Sequence, residues 1–386
     1  MLLPAEHCKI LLAFDSFKGS VSSSQAADAA RGAILSLMPG AEVRTALISD
    51  GGEDFMLNMA HYCGCREDDW ICCPTVNPLG SPIEARYFIS GGTAVMDVAS
   101  ASGLTLLSPA ERNPMLTSSL GTGMMILDAM RNRDCRDFLI GLGGSATCDA
   151  AMGILSALGY RCINALGGRL EPVGANLAEV AAIDSSCVHP CVERSRFTLA
   201  CDVTNPFCGP NGAACVFAPQ KGATSGQVEM LDSGLSHFAE VVKRATGKDI
   251  SEVKGAGAAG GIAGTLHAML RAEIKSGMEI ISRKARLADD IAWADLVFTG
   301  EGAIDAQSCM GKLVGHIVRK CHEAGVPVVA LGGCVDDAGA AALVGLGAKA
   351  VFPIHRGPIP VDIAMRTDVT LNALGQTVAS VIGLLQ

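Results

Sequence analysis

The sequence predicts an α/β protein of two domains: a doubly wound domain formed by both chain ends, and a second α/β domain inserted between them, with a cleft at their border. Three observations predict it. The 386 residues exceed one ordinary core at about 100–200 residues per domain. The 45 glycines and 4% aromatic content suit α/β units, whose tight turns need glycine. A strand–loop–helix order also recurs at both ends, as in parallel βα units that share a sheet.

Residues 10–14 are a continuous apolar run and read as a strand. Asp15-Ser16-Phe17-Lys18-Gly19-Ser20 follows as a loop. Next comes a helix with Ala26, Ala30, Ala33, Ile34 and Leu37 on one face, stopped by Pro39 and Gly40. Ser22, Ser23 and Ser24 are its N-cap candidates. Residues 43–48 form a second strand candidate, which runs into Ser49-Asp50-Gly51-Gly52-Glu53 and another helical pattern. In mid-chain, residues 138–140 read as a strand, and a helix reaches Leu158 after a glycine-rich turn. Another helical stretch is expected from Ile262 to about Lys275. Towards the C-terminus, residues 296–299 are a strand, a loop reaches Gly311 and a helix reaches about Glu323. Residues 327–331 are the next strand, and a further helix leads to a strand at 350–354. The turn-rich residues 75–82 and the end of a basic segment at Arg286-Leu287 set the expected borders. These are 1–75 plus 290–386 for one domain and 76–289 for the insert.

The formal net charge is −9 with no basic stripe, which argues against nucleic acid or an anionic membrane surface as a partner. A site for anionic ligands must then supply its own cations, so lysines and arginines in glycine-rich loops gain interest. The longest apolar runs, such as 326–331, fall far short of the roughly 18–20 residues of a membrane span. The N-terminus shows no charged lead before a cleavable apolar segment, so a cytoplasmic enzyme is expected. The 16 cysteines sit mostly singly in apolar stretches, among them Cys148, Cys162, Cys201, Cys215 and Cys334, without Cys-x-x-Cys spacing. They read as reduced, buried small hydrophobes.

Phosphoryl transfer needs backbone N–H groups and a cation around phosphates, Mg²⁺ held by carboxylate, and a carboxylate near the attacking hydroxyl. Four loops offer such parts. Lys18 lies at the carboxyl end of a strand, where open α/β sheets bind ligands; an ordinary solvated turn lysine fits there too. The loop from Gly141 to Thr147 presents N–H groups ahead of a helix. Gly141, Gly143 and Ala146 also match the dinucleotide spacing G-x-G-x-x-G/A, but no acid follows about 20 residues on to hold a ribose. Residues 255–261 form either an anion cradle or a small-residue hinge. Residues 299–305 put Glu301 and Asp305 four apart after a strand, as Mg²⁺ ligands through water or as groups that orient ATP, unless Glu301 caps the next helix. Asp202, after a run of small apolar residues, is a general-base candidate. Arg112 and Lys221 lie in loops and suit carboxylate or phosphate. No P-loop, protein-kinase set or Gly-x-Ser-x-Gly elbow is present. Residues alone thus point to a two-domain α/β enzyme with several anion loops.

Nine stretches lie in one order along the chain: DSFKGS at 15–20, DGGE at 50–53, RNP at 112–114, SLGTG at 119–123, GGSAT at 143–147, CDVTNP at 201–206, PQKGAT at 219–224, GAGAAGG at 255–261 and TGEGAID at 299–305. From Lys9 to about Ile354 the chain resembles the glycerate kinase family, which includes bacterial glycerate 2-kinases. The resemblance implies ATP-dependent phosphorylation of D-glycerate to 2-phosphoglycerate, with Mg²⁺ as cofactor, by a monomer or homodimer. The fold it implies has a Rossmann-like domain and an inserted flavodoxin-like domain. In the scheme it implies, Asp202 takes the glycerate hydroxyl proton, Lys18 and Lys221 neutralise the moving phosphate, and Arg112 grips the substrate carboxylate. Asp305 joins Asp202 and Lys18 in catalysis, and Asp15, Ser16, Asn113, Thr147 and Asn205 join Arg112 and Lys221 around the substrate. Gly143, Gly144, Ser145, Gly257, Gly260 and Glu301 face ATP or its phosphates, with Glu301 and Asp305 serving Mg²⁺. Two stretches depart from the family pattern: DGGEGT ends here in Asp54-Phe55, and GGSATNDGG becomes GGSAT followed by Cys148, Asp149, Ala150 and Ala151. A related hydroxy acid as substrate, a nicotinamide-dependent hydroxy-acid dehydrogenase and a catalytically silent ligand sensor stand as alternatives.

Overall fold

The structure, a computed structural model, describes residues 7–17, 19–48, 55–305 and 313–385. Its strands in chain order are β1 Lys9–Phe14, β2 Glu42–Thr45, β3 Trp70–Val76, β4 Pro82–Ser90, β5 Thr93–Asp97, β6 Asp137–Gly141, β7 Arg161–Ile163, β8 Ala182–Asp184, β9 Arg196–Ala200, β10 Glu273–Lys275, β11 Leu296–Ile304, β12 Val328–Val335 and β13 Ala350–Pro353. They fall into two units, one taken from both chain ends and one from residues 51–277.

In the first unit the sheet order is β13-β12-β11-β1-β2, with all neighbours parallel. Counted within the unit this is 2-1-3-4-5, a doubly wound order of flavodoxin type whose switch point lies between β1 and β11. The doubly wound expectation holds, with this order in place of the Rossmann one. Residues 10–14 of β1 are buried, as parallel strands covered on both faces require. The helix Ser23–Leu37 opens with a capping box: Gln25 N–H donates to Ser22 Oγ at 3.3 Å and Ser22 N–H to Gln25 Oε1 at 2.9 Å. It buries Ala26, Ala27, Ala30 and Ile34, whereas Leu37, expected on that face, is exposed. The helix packs on Thr367–Leu385, which by length and composition alone could cross a membrane. Here that second helix buries Leu374, Val378, Val381 and Ile382 in the core of its unit.

In the second unit the order is β10-β9-β6-β5-β4-β3. β3, β4 and β5 form an antiparallel meander, and every pair from β5 onward is parallel. The order follows the chain without reversal, so this sheet is not the flavodoxin-like one expected. Right-handed crossovers that always step the same way keep their helices on one face. Helices Leu120–Asn132, Met152–Ala157 and Ala258–Met269 accordingly share one cluster with the sheet, Ile126, Ile154 and Leu266 meeting Met96 and Ile140.

The borders differ from those expected. β3 pairs with β4 along its whole length, which carries residues 55–75 into the insert and moves that border from 75/76 to 50/51. On the far side the chain joins the first unit from Met278, ahead of the expected 289/290. Two elements also differ. The helix expected to reach Lys275 ends at Met269; Arg271, at φ 58°, turns the chain and β10 follows as an edge strand on β9. The strand expected at 296–299 continues to Ile304 because β12 runs beside it to Val335. Among the cysteines, Cys148, Cys162 and Cys201 are buried as expected, Cys215 is half-buried, and Cys334 is exposed.

Candidate active site

Strand register in the second unit sets Asp97, Gly141, Ala200 and Lys275 side by side. The loops after β5, β6, β9 and β10 therefore leave from one carboxyl edge, where ligands of parallel sheets bind. Gly141 has a steric reason: a Cβ there would lie 2.1 Å from Asp97 Oδ1. The Asp97 carboxylate accepts the Met56 N–H at 3.2 Å, at the amino end of the helix Phe55–Cys63, where a negative charge is favoured.

The loop after β6 carries GGSAT. Gly143 is half-buried and Gly144 exposed, the latter at φ +68°. Among the described residues, no other protein group takes the N–H of Gly143, Gly144 or Ser145. Below these amides the loop is anchored three times. Lys221 Nζ donates to Ser145 Oγ at 2.9 Å and to the Thr147 carbonyl at 2.7 Å. Gly260 packs on Thr147, where a Cβ would come within 2.0 Å of the carbonyl oxygen, and its own carbonyl accepts Ala150 N–H at 3.1 Å. Asp149 Oδ2 accepts from Ser119 N–H at 2.8 Å, Ser119 Oγ at 2.7 Å and Gly153 N–H at 3.1 Å. Its Oδ1 is buried without a hydrogen-bond partner.

Burial pushes the Asp149 pKa up against these donors, and it pushes the Lys221 ammonium down while Cys148 and Asp149 pull the other way. Ala150 and Ala151 lie at φ 49° and 61°, so the alanines that replace the family glycines still turn through the left-handed region. The ten residues between β6 and the helix Met152–Ala157 separate the Gly141 turn from a helix amino end. That spacing removes the dinucleotide reading, which needs the turn to open a helix.

Gly222, at φ +94°, seats the PQKGAT turn on Arg112, where a Cβ would come within 2.2 Å of the carbonyl oxygen. Arg112 is thereby carried next to the Lys221 segment, half-buried and with its Nε unpaired. Asn113 Oδ1 is spent on Met115 N–H at 3.1 Å and Gln227 Nε2 at 3.4 Å. Asp202 is half-buried beyond β9 and accepts a hydrogen bond from Ser276 Oγ. Asn205 Nδ2 donates to the Asn211 carbonyl at 2.9 Å.

Four of the expected contacts read differently here. Gly257 N–H is spent on the Asn205 carbonyl at 3.1 Å, and a Cβ at 257 would lie 2.2 Å from the Pro206 carbonyl. Gly257 and Gly260 thus join CDVTNP to GGSAT by close backbone approach. Thr147 is fully buried, and Lys221 is 3% exposed. Both hold the loop from within, Lys221 Nζ donating to Ser145 Oγ and to the Thr147 carbonyl. Conversely, Asp97, Ser119, Asp149 and Ser276 carried no role in the sequence reading. Asp149 could have been found two residues beyond GGSAT; Ser276 could not without β10.

In the first unit, Asp15 and Ser16 lie at the switch point. Asp15 N–H donates to the Gly300 carbonyl at 2.9 Å, and Asp15 Oδ1 accepts Ser16 N–H at 2.8 Å. Ser20 is held by its Oγ on Thr370 Oγ1 at 2.5 Å and by Thr367 Oγ1 on its carbonyl at 2.9 Å. Lys18, DGGE at 50–53 and Asp54 lie outside the described residues. Glu301 and Asp305 do not fit as joint inner ligands of Mg²⁺. The chain is extended through Ile304, so four residues span about 13 Å, while Mg²⁺ holds its oxygens at about 2.1 Å. Among the described residues no group of three His, Cys, Asp or Glu could hold a metal ion.

A sequence model of the glycerate kinase family matches residues 10–386. The chain is 38% identical over 377 residues to the glycerate kinase of Haemophilus influenzae, covering 97% of this chain and 98% of that one. It is 40% identical over 365 residues to the glycerate 2-kinase of Escherichia coli, covering 93% of each. It is also similar to the crystal structure of a candidate glycerate kinase 2 from Salmonella typhimurium LT2, with a TM-score of 0.80, 33% identity and 98% of each chain covered. With matched loops meeting on one sheet edge and similarity along nearly its full length, the chain belongs to the glycerate kinase family.

Proposed function

We propose that this protein transfers the γ-phosphoryl group of ATP to the 2-hydroxyl of D-glycerate, giving 2-phosphoglycerate and ADP. The observation that carries the proposal is one sheet edge that joins a fixed carboxylate, Asp202, to a loop whose amides at 143–145 are unspent. Kinase relatives over more than nine-tenths of the chain support it.

Asp202 accepts the proton of the attacking hydroxyl. The hydroxyl oxygen bonds to the γ-phosphorus, the bond from that phosphorus to the bridging oxygen breaks, and ADP leaves with the electron pair. The amides of Gly143, Gly144 and Ser145 receive anionic oxygens, with the buried Lys221 charge behind them. Arg112 pairs with the substrate carboxylate through its planar guanidinium. Asp15 and Ser16 remain our candidates for a ligand contact at the other unit's switch point, and Lys18 for neutralising phosphate. Mg²⁺, when bound with ATP, would neutralise phosphate charge; no step is assigned to Glu301 or Asp305 through it.

ADP release measured by a coupled assay across D-glycerate and related hydroxy acids tests the proposal, with NMR fixing the phosphorylated oxygen. Turnover with another hydroxy acid but not D-glycerate would replace the substrate. Ligand-induced stabilisation without ADP release would mean a sensor.

A further inference from the structure

The three-residue strand β10 buries little. Glu273 and Lys275 are exposed and pair with each other at 2.5 Å, and only Ile274 is half-buried. Its ladder with β9 nevertheless extends one step beyond the strand, Cys201 N–H donating to the Lys275 carbonyl at 2.9 Å. That step delivers the next residue: Ser276 Oγ donates to Asp202 Oδ1 across 74 residues of chain. The Asp202 backbone is fixed separately. Cys201 Sγ donates to the Val203 carbonyl at 3.4 Å, and Gly255, at φ +80°, closes on the same carbonyl, where a Cβ would lie 3.1 Å away.

We infer that Ser276 is a positioning residue for phosphoryl transfer, setting the rotamer of the Asp202 carboxylate at the sheet edge. The inference rests on Asp202 being the general base. A base must meet its proton at hydrogen-bond distance, and an aspartate carboxylate can adopt several staggered rotamers. A donor on Oδ1 selects one of them. The otherwise sparsely buried β10 is thereby explained as the element that supplies this donor.

The test compares Ser276→Ala, Ser276→Thr and Ser276→Val, each alone, and Ser276→Ala combined with Asp202→Asn, in the coupled ADP assay with D-glycerate. Ser276→Ala is expected to lower kcat by roughly 10- to 100-fold, the scale of a misplaced reacting group, with both KM values nearly unchanged. Ser276→Thr keeps the hydroxyl and restores most of the rate; Ser276→Val, of the same shape, does not. In the Asp202→Asn background, Ser276→Ala adds no further loss. Equal rates for the Thr and Val variants, or a full additional loss in the Asn background, overturn the positioning role even if the Ala variant folds poorly. If Asp202→Asn itself keeps turnover, the assignment of the base fails instead.

Discussion

Replacing Lys221 by Met separates a loop-shaping cation from a structural one. The variant keeps side-chain length and loses two charge-assisted hydrogen bonds, to Ser145 Oγ and the Thr147 carbonyl. Such bonds contribute about 1.5–3 kcal/mol each, so the gross loss is about 3–6 kcal/mol. Against this, an ammonium no longer has to be desolvated, which returns several kcal/mol. The net change in folding stability is therefore expected to stay within about 2 kcal/mol. Catalysis has no such offset. If the 143–145 amides lose their aim, kcat/KM should fall by about 10²–10³, the cost of one lost oxyanion-type donor. Urea unfolding and the coupled ADP assay measure the two quantities on the same samples. The stability gap also has a pH slope. Burial lowers the folded pKa of Lys221 below its unfolded value. Between the lowered folded value and the unfolded one, the unfolded chain binds more protons and stability rises with pH. Wild type should therefore gain stability relative to Lys221→Met as pH rises towards the ordinary lysine range. A variant with kcat/KM within about fivefold of wild type would refute the role of Lys221 in shaping the loop, and parallel pH–stability curves would refute the lowering of its pKa by burial.

Asp202→Asn should lower kcat by about 10² or more in the same assay, and a loss under about tenfold removes Asp202 as the base. Gly260→Ala brings a Cβ to 2.0 Å from the Thr147 carbonyl at φ +69°. It should destabilise by about 2–5 kcal/mol in urea unfolding, combining overpacking with left-handed strain, while Gly226→Ala, with open space around it, should not. Ala151→Gly relieves a left-handed alanine that costs about 1–2 kcal/mol, against about 0.4–1 kcal/mol of added unfolded-state entropy. A stability gain of up to about 1.6 kcal/mol is expected, and a net loss would mean the buried methyl outweighs the strain.

The sequence by itself determined the local grammar: β1 and the helix capped at Ser22 follow from an apolar run and serine, whose preferences act over a few residues. It also placed the polar loops, because strand ends and turns are where such residues accumulate, and its nine ordered motifs marked the family. Tertiary structure alone decided the rest. Lys221 meets Ser145 across 76 residues and Ser276 meets Asp202 across 74, distances no local pattern encodes. The same holds for β10, whose existence depends on β9 beside it, and for the border at 50/51, set by β3 pairing with β4. Glycine shows the division most plainly: sequence marks Gly143, Gly257 and Gly260 alike as permissive backbone. Only packing distinguishes the exposed 143–144 turn, with its N–H groups unspent, from the buried turn whose Gly257 N–H and Gly260 carbonyl are spent on Asn205 and Ala150.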